Sequence, residues 1–145
     1  MQYAAADLVD AYSELTDVEG ELIISSSGKL TAQIKAGAPY HIFLSADERY
    51  PKLLYEENRA IHKPQTYAFG KLILLFSDKI HQPSLEKLTS SSFEKIAIAN
   101  PEIAPYGQAA IEVLDRIGSH QELKDKLIFG QSIAQVNQFI TEGAV

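Results

Sequence analysis

Glu21-Leu22-Ile23-Ile24-Ser25-Ser26-Ser27-Gly28-Lys29-Leu30-Thr31-Ala32-Gln33-Ile34 passes from a short β-rich run to a helical pattern within a few residues. Leu30 and Ile34 share a helical face at i, i+4, and Gly37-Ala38-Pro39 stops that helix. The same order recurs along the chain. His41-Ile42-Phe43-Leu44-Ser45 is a strand, and a helix begins at Asp47 with Leu53 and Leu54 turned inward. Asp47-Glu48 are expected to cap and polarise it. Lys95 to Ala99 is a strand, residues 100–107 form a loop with two prolines, and Ala110, Leu114 and Ile117 share a helical face. Lys126 to Phe129 is a strand, and Ile133, Val136, Phe139 and Ile140 mark a last helix that ends near Gly143. Alternation of this kind predicts an α/β fold with mostly parallel strands, whose ligands sit where strands end and helices begin.

The remaining segments connect these units. Leu8, Tyr12 and Leu15 predict a first helix starting after Asp7, with Asp7 as its N-cap, and a turn over residues 17–20. Residues 67–76 read as one long extended stretch with Gly70 in its middle, crossing between two lobes. Residues 77–84, with Pro83, read as a loop, and Leu85 and Leu88 suggest a short helix.

Composition narrows the function. The 145 residues hold 13 Lys+Arg against 19 Asp+Glu, a net charge of −6, which argues against a nucleic-acid binder and against a polybasic membrane-surface helix. The longest apolar run, Leu72 to Phe76, is strand length and far below the ~20 residues that span a bilayer. The absence of cysteine removes disulfide frameworks, zinc ribbons and thiol nucleophiles together. Met1-Gln2-Tyr3 runs into Ala4-Ala5-Ala6-Asp7 without a basic segment or an apolar core, so no secretory leader is read at this start. No dinucleotide fingerprint, P-loop or nucleophile elbow is present. His41, His62, His81 and His120 are scattered, with no i, i+4 pair to chelate a metal.

Four junctions instead share one chemistry. Ala6-Asp7-Leu8, Ser26-Ser27-Gly28, Pro105-Tyr106-Gly107 and Gln131-Ser132-Ile133 each place a small or polar, mostly uncharged segment at a predicted helix start. A helix start carries unpaired N–H groups and a partial positive charge, so several that converge would hold an anion. Singly, each is an ordinary cap. Gly28 and Gly107 would let backbones approach closely.

At these junctions the sequence resembles the periplasmic molybdate-binding proteins of ABC transporters. The resemblance is carried by Ala4-Ala5-Ala6-Asp7-Leu8, by Ser26-Ser27-Gly28 through Ile34, by Gly37-Ala38-Pro39 and by Phe43-Leu44-Ser45-Ala46-Asp47. It continues in order through Tyr67-Ala68-Phe69-Gly70-Lys71-Leu72, Ile96-Ala97-Ile98-Ala99-Asn100-Pro101 and Ala104-Pro105-Tyr106-Gly107. It implies a periplasmic-binding-protein-like α/β fold of two small lobes, residues 1–68 and 69–145, closing on a tetrahedral oxyanion. Carried over by motif, the ligand contacts would come from Ala6, Asp7, Ser27, Tyr106 and the backbone N–H of Ile133.

The implied role is that of a solute receptor rather than an enzyme. Such a receptor is periplasmic or extracytoplasmic, takes molybdate or tungstate, needs no cofactor and no metal beyond the bound oxyanion, and delivers to a membrane ABC permease. A dianion whose oxygens only accept is satisfied by neutral N–H and O–H donors. Sulfate would be refused by cavity size, and phosphate by the proton it keeps at neutral pH.

This chain departs from the family pattern in being shorter, so the first lobe is expected to be incomplete. Asp7 stands where many relatives carry a neutral residue, and His41 where an Asp is expected. Two other readings follow. One is a shortened relative that binds no oxyanion tightly and pairs with another copy through open sheet edges. The other is a small enzyme acting on an anionic substrate, for which no nucleophile–base pair is visible.

Overall fold

The computed structural model describes residues 2–76 and 84–145. The loop expected over residues 77–84 and His81 therefore fall, except for Ser84, outside the described residues. Element order is α1 (Gln2–Thr16), α2 (Ser27–Lys35), α3 (Arg49–Glu56), a 3-10 turn (Leu85–Thr89), β1 (Ile96–Ala99), α4 (Pro105–Arg116), α5 (His120–Leu123), a second 3-10 turn (Lys124–Lys126), β2 (Leu127–Gly130) and α6 (Ile133–Thr141). Strands β1 and β2 pair in parallel, Ile96 with Leu127 through Ala99 with Gly130, and α4 makes the crossover between them. That is the βαβ unit which the alternation in residues 95–140 predicts.

Two apolar clusters hold this half. Leu88, Leu114 and Leu123 pack under one end of the sheet with Phe76, Ile96 and Leu127, and Leu123 is wholly buried. Ala99, Ala104 and Val136 pack at the other end with Ala97 and Ile140. The small side chains of this second cluster bring the starts of α4 and α6 close to the end of β1. Gly107 completes the approach, because a Cβ there would overlap the Ala99 carbonyl oxygen outright. The α6 helix ends as expected, with Gly143 at φ +68, a conformation open to glycine without strain.

In residues 2–68, α2 and α3 pack together through Leu30, Thr31, Tyr50 and Leu54. The strands expected over residues 21–25 and 41–45 join no ladder among the described residues. The apolar runs are there, but a strand is defined by its neighbour's backbone, and no described segment supplies one. Leu22, Ile23, Ile24 and Ile42 are correspondingly exposed. Residues 67–76 likewise join no ladder among the described residues.

The first helix corrects the sequence reading. It starts at Gln2, so Asp7 lies inside it and is not an N-cap. Tyr3-Ala4-Ala5-Ala6 explains the shift, since alanine is the strongest helix former and carries the helix back past the aspartate. Thr16 ends it, with Asp17 in the left-handed region at φ 55 and its N–H on the Ser13 carbonyl at 3.1 Å. The face carrying Leu8, Tyr12 and Leu15 is open to solvent.

Candidate functional site

The α2 junction is the most fully built. Ser26 is in extended backbone and its Oγ accepts from the Lys29 N–H at 3.4 Å, a side-chain N-cap. That leaves Ser27 as the first helical residue, buried, with its hydroxyl turned elsewhere. Ser27 Oγ accepts from the Ala46 N–H at 3.1 Å, so its own hydrogen is available to donate. Ser45 and Asp47 hold the Ala46 turn: the Ser45 Oγ accepts from the Asp47 N–H at 3.3 Å, and Asp47 Oδ1 accepts from the Tyr50 N–H at 3.4 Å. Asp47 therefore does the capping expected of the pair, while Glu48 occupies the N-cap position without a side-chain cap bond.

The next residue ties this junction to α4. The Gly28 N–H donates to the Ile103 carbonyl at 3.0 Å. A Cβ on Gly28 would stand 2.7 Å from that oxygen and 2.8 Å from the Tyr50 hydroxyl. Only glycine permits the approach. Ile103 leads into Ala104, the N-cap of α4, with Pro105 and Tyr106 in the first turn. The proline loses nothing there, because the first N–H of a helix has no partner within it.

The α6 junction joins through packing. Ala104 and Val136 belong to one buried cluster, and the Asn100 N–H donates to the Gly130 carbonyl at 2.7 Å. Ser132 caps α6 by accepting from the Gln135 N–H at 3.3 Å, and Ile133 is the first helical residue with its side chain half-exposed. Three of the four junctions, those of Ser27, Tyr106 and Ile133, are thus linked by direct contacts. The fourth is not a junction: Ala6 and Asp7 lie within α1, and no hydrogen bond or packing contact described here ties them to the other three.

Beside α4 a groove of about 380 Å³ runs between Tyr106 and Pro105 on one wall and Ala46, Asp47, Arg49 and Gly70 on the other. Asp47, Glu112 and Arg49 are its charged lining residues. Arg49 lies over the Tyr50 ring at 4.4 Å, donates to the Tyr50 hydroxyl at 2.7 Å and stands 3.8 Å from Asp47. Tyr67 donates to the Ser45 carbonyl at 3.0 Å. Burial, and to a lesser degree the neighbouring Tyr106, push its phenol above the ordinary range. Three partners here escaped the sequence reading: Ala46, which holds the Ser27 hydroxyl, Tyr50 and Gly70. Tyr50 had a signal, since it shares the buried face of α3 with Leu54 at i, i+4.

Among the described residues no group of three His, Asp or Glu side chains could hold an ion, and His120 pairs with Asp115 at 2.7 Å on the surface. No described helix is long and apolar enough to cross a membrane.

Residues 1–145 match the family model of bacterial extracellular solute-binding proteins. The chain belongs to this family. It is 37 % identical over 140 residues to the molybdate-binding protein ModA of Rhodobacter capsulatus, a match covering 96 % of this chain and 56 % of that protein. It is 36 % identical over 143 residues to ModA of Azotobacter vinelandii, covering 95 % and 57 %. The solved periplasmic molybdate-binding protein of Azotobacter vinelandii superposes with a TM-score of 0.88 at 32 % identity, over 99 % of this chain and 64 % of that one. The chain thus has the α/β architecture of the family's binding proteins and spans a little over half the length of these curated relatives. The family is one of solute binding for transport and not of catalysis.

Proposed function

We propose that this chain contributes the oxyanion-binding site of an extracytoplasmic receptor that takes molybdate and delivers it to a membrane ABC permease. The observation that carries this reading is the convergence of three helix starts whose donors are neutral. Ser27 offers a hydroxyl already oriented by the Ala46 N–H, Tyr106 a phenol in the first turn of α4, and Ile133 a first-turn N–H. Such a set satisfies oxygens that only accept, and it carries no cation that would hold chloride or a carboxylate as readily. Tungstate has the same charge and shape and would enter the same site. In this reading residues 1–68 supply Ser27 from one lobe and residues 69–145 supply Tyr106 and Ile133 from the other. The names of the relatives support molybdate as the first ligand to try.

Titration calorimetry with molybdate, tungstate, sulfate and phosphate tests it. Molybdate binding at micromolar concentration or tighter, with no heat from sulfate, is expected; no heat from molybdate or tungstate overturns it.

One observation favours a second reading, in which the chain also self-associates. Its accessible surface is 10793 Å² for 16.0 kDa. A compact monomer of that mass exposes about 7,400 Å². The excess is more than the share of about 1,000–2,500 Å² that each chain buries in an obligate dimer, so a dimer would cover part of it. This reading is compatible with oxyanion binding and is tested by association state.

A further inference from the structure

Gly70 lies in the connecting stretch, on the groove wall that faces α4. Glycine is commonly required by a left-handed backbone, but Gly70 is not among the residues of positive φ. Its lack of a side chain serves a different purpose. A Cβ built there overlaps the Tyr106 hydroxyl outright, and comes to 3.1 Å from Tyr106 Cζ and 3.7 Å from Cε1. The phenol oxygen therefore rests directly against the bare Cα of Gly70. The Tyr67 phenol, which feels Tyr106 electrostatically, is its other neighbour, and the contact with Gly70 is the one that fixes how far the hydroxyl can move toward the connecting stretch.

The stretch that carries Gly70 is itself anchored. Three residues earlier, Tyr67 donates to the Ser45 carbonyl at 3.0 Å, and the adjacent Ala46 N–H holds the Ser27 hydroxyl. A short chain of contacts thus runs from Ser27 through Ala46, Ser45 and Tyr67 to Gly70 and ends on Tyr106. Ser27 and Tyr106 are the two side-chain donors of the site.

We propose that Gly70 is a positioning residue for ligand binding, fixing the Tyr106 hydroxyl by contact against its bare Cα so that this donor keeps its place relative to Ser27. The proposal rests on the oxyanion reading of the site. A methyl at position 70 would push the phenol oxygen out of its place, and a donor displaced by an ångström forfeits most of a hydrogen bond.

The test is a double-mutant cycle of Gly70→Ala, Tyr106→Phe and the two combined, because coupling between contacting residues appears as non-additivity. Molybdate affinity is read by calorimetry, and the melting midpoint is read without ligand. Gly70→Ala alone should weaken molybdate binding about tenfold or more, as Tyr106→Phe should. The double variant should bind as Tyr106→Phe alone, since removing the oxygen removes the overlap and leaves only the 3.1 Å approach to Cζ. Parent-like affinity for Gly70→Ala, or losses that multiply in the double variant, would overturn the proposal. If the parent binds no molybdate, the oxyanion reading fails by itself, and the ligand-free melts decide the contact. A lower midpoint for Gly70→Ala only where the Tyr106 hydroxyl is present upholds the positioning; an equal drop in both backgrounds refutes it.

Discussion

Ser27→Ala is the most informative single change in the site. The substitution removes only Oγ, and alanine keeps the helical start of α2 intact, because Ser26 and not Ser27 is the cap. Two hydrogen bonds are at stake. The first is internal, the Ala46 N–H on Ser27 Oγ at 3.1 Å. Ala46 is exposed, so water can take over its N–H, and the stability loss should stay near the net value of an ordinary hydrogen bond, about 0.5–1.5 kcal/mol. The second is the bond that the proposed site assigns from the Ser27 hydroxyl to a bound dianion. A bond to a charged group contributes about 1.5–3 kcal/mol. Its loss corresponds to roughly 10- to 150-fold in molybdate affinity. Calorimetry and a denaturant melt on the same preparation separate the two. A large affinity loss beside a small stability loss is expected. Affinity within twofold of the parent would remove Ser27 from the site, whatever the melt shows.

Three further outcomes are expected. Ile133→Pro should cost about 1.5–3 kcal/mol of molybdate binding while the helix survives, since the change removes the first-turn N–H and the preceding Ser132 already has the extended backbone that a proline demands; parent-like affinity in calorimetry would exclude this donor. Asp7→Asn should leave molybdate affinity unchanged to within twofold, because Asp7 lies inside α1 and exposed to solvent; tighter binding by tenfold or more would mean that the carboxylate faces the ligand and repels it. Sedimentation velocity at micromolar concentration should show a dimer or larger species, and a clean monomer with a cooperative melt would refute self-association as a cover for part of the excess surface.

The second half of the fold was legible because its signals are local. Ala110, Leu114 and Ile117 mark α4 by period alone, and Lys95–Ala99 and Lys126–Phe129 each have a partner strand in the chain. Gly28 and Gly107 were also legible, as glycines beside helix starts, and both prove to be close approaches of backbone to backbone. Residues 21–25 and 41–45 were not: their β-rich composition is real, but pairing depends on segments elsewhere, which composition does not reveal. Asp7 was misread because cap preference competes with helix propensity, and the alanine run before it prevails. Gly70 could not be read at all. Its partner Tyr106 lies far along the chain, and nothing in the spacing of a lone glycine says which ring will rest on it.

The charge of the site explains why its donors must be near and fixed. A chain of net charge −6 repels a dianion at long range, although physiological salt screens that field over about 8 Å. Attraction has to come from within the first contact shell. Arg49, the one cation among the groove's described lining residues, pairs with Asp47 and lies on the Tyr50 ring and hydroxyl, and the lining also holds the carboxylates of Asp47 and Glu112, so the groove's formal charge is not positive. In the proposed site the attraction comes from the neutral donors of three helix starts. Each is weaker than a cation at a distance, but each demands an acceptor at one place and in one direction. A site of this kind discriminates by the number and position of acceptor oxygens rather than by charge. On the proposed reading, the residues that hold the donors still, Ala46 for Ser27 and Gly70 for Tyr106, would matter to selection together with the donors.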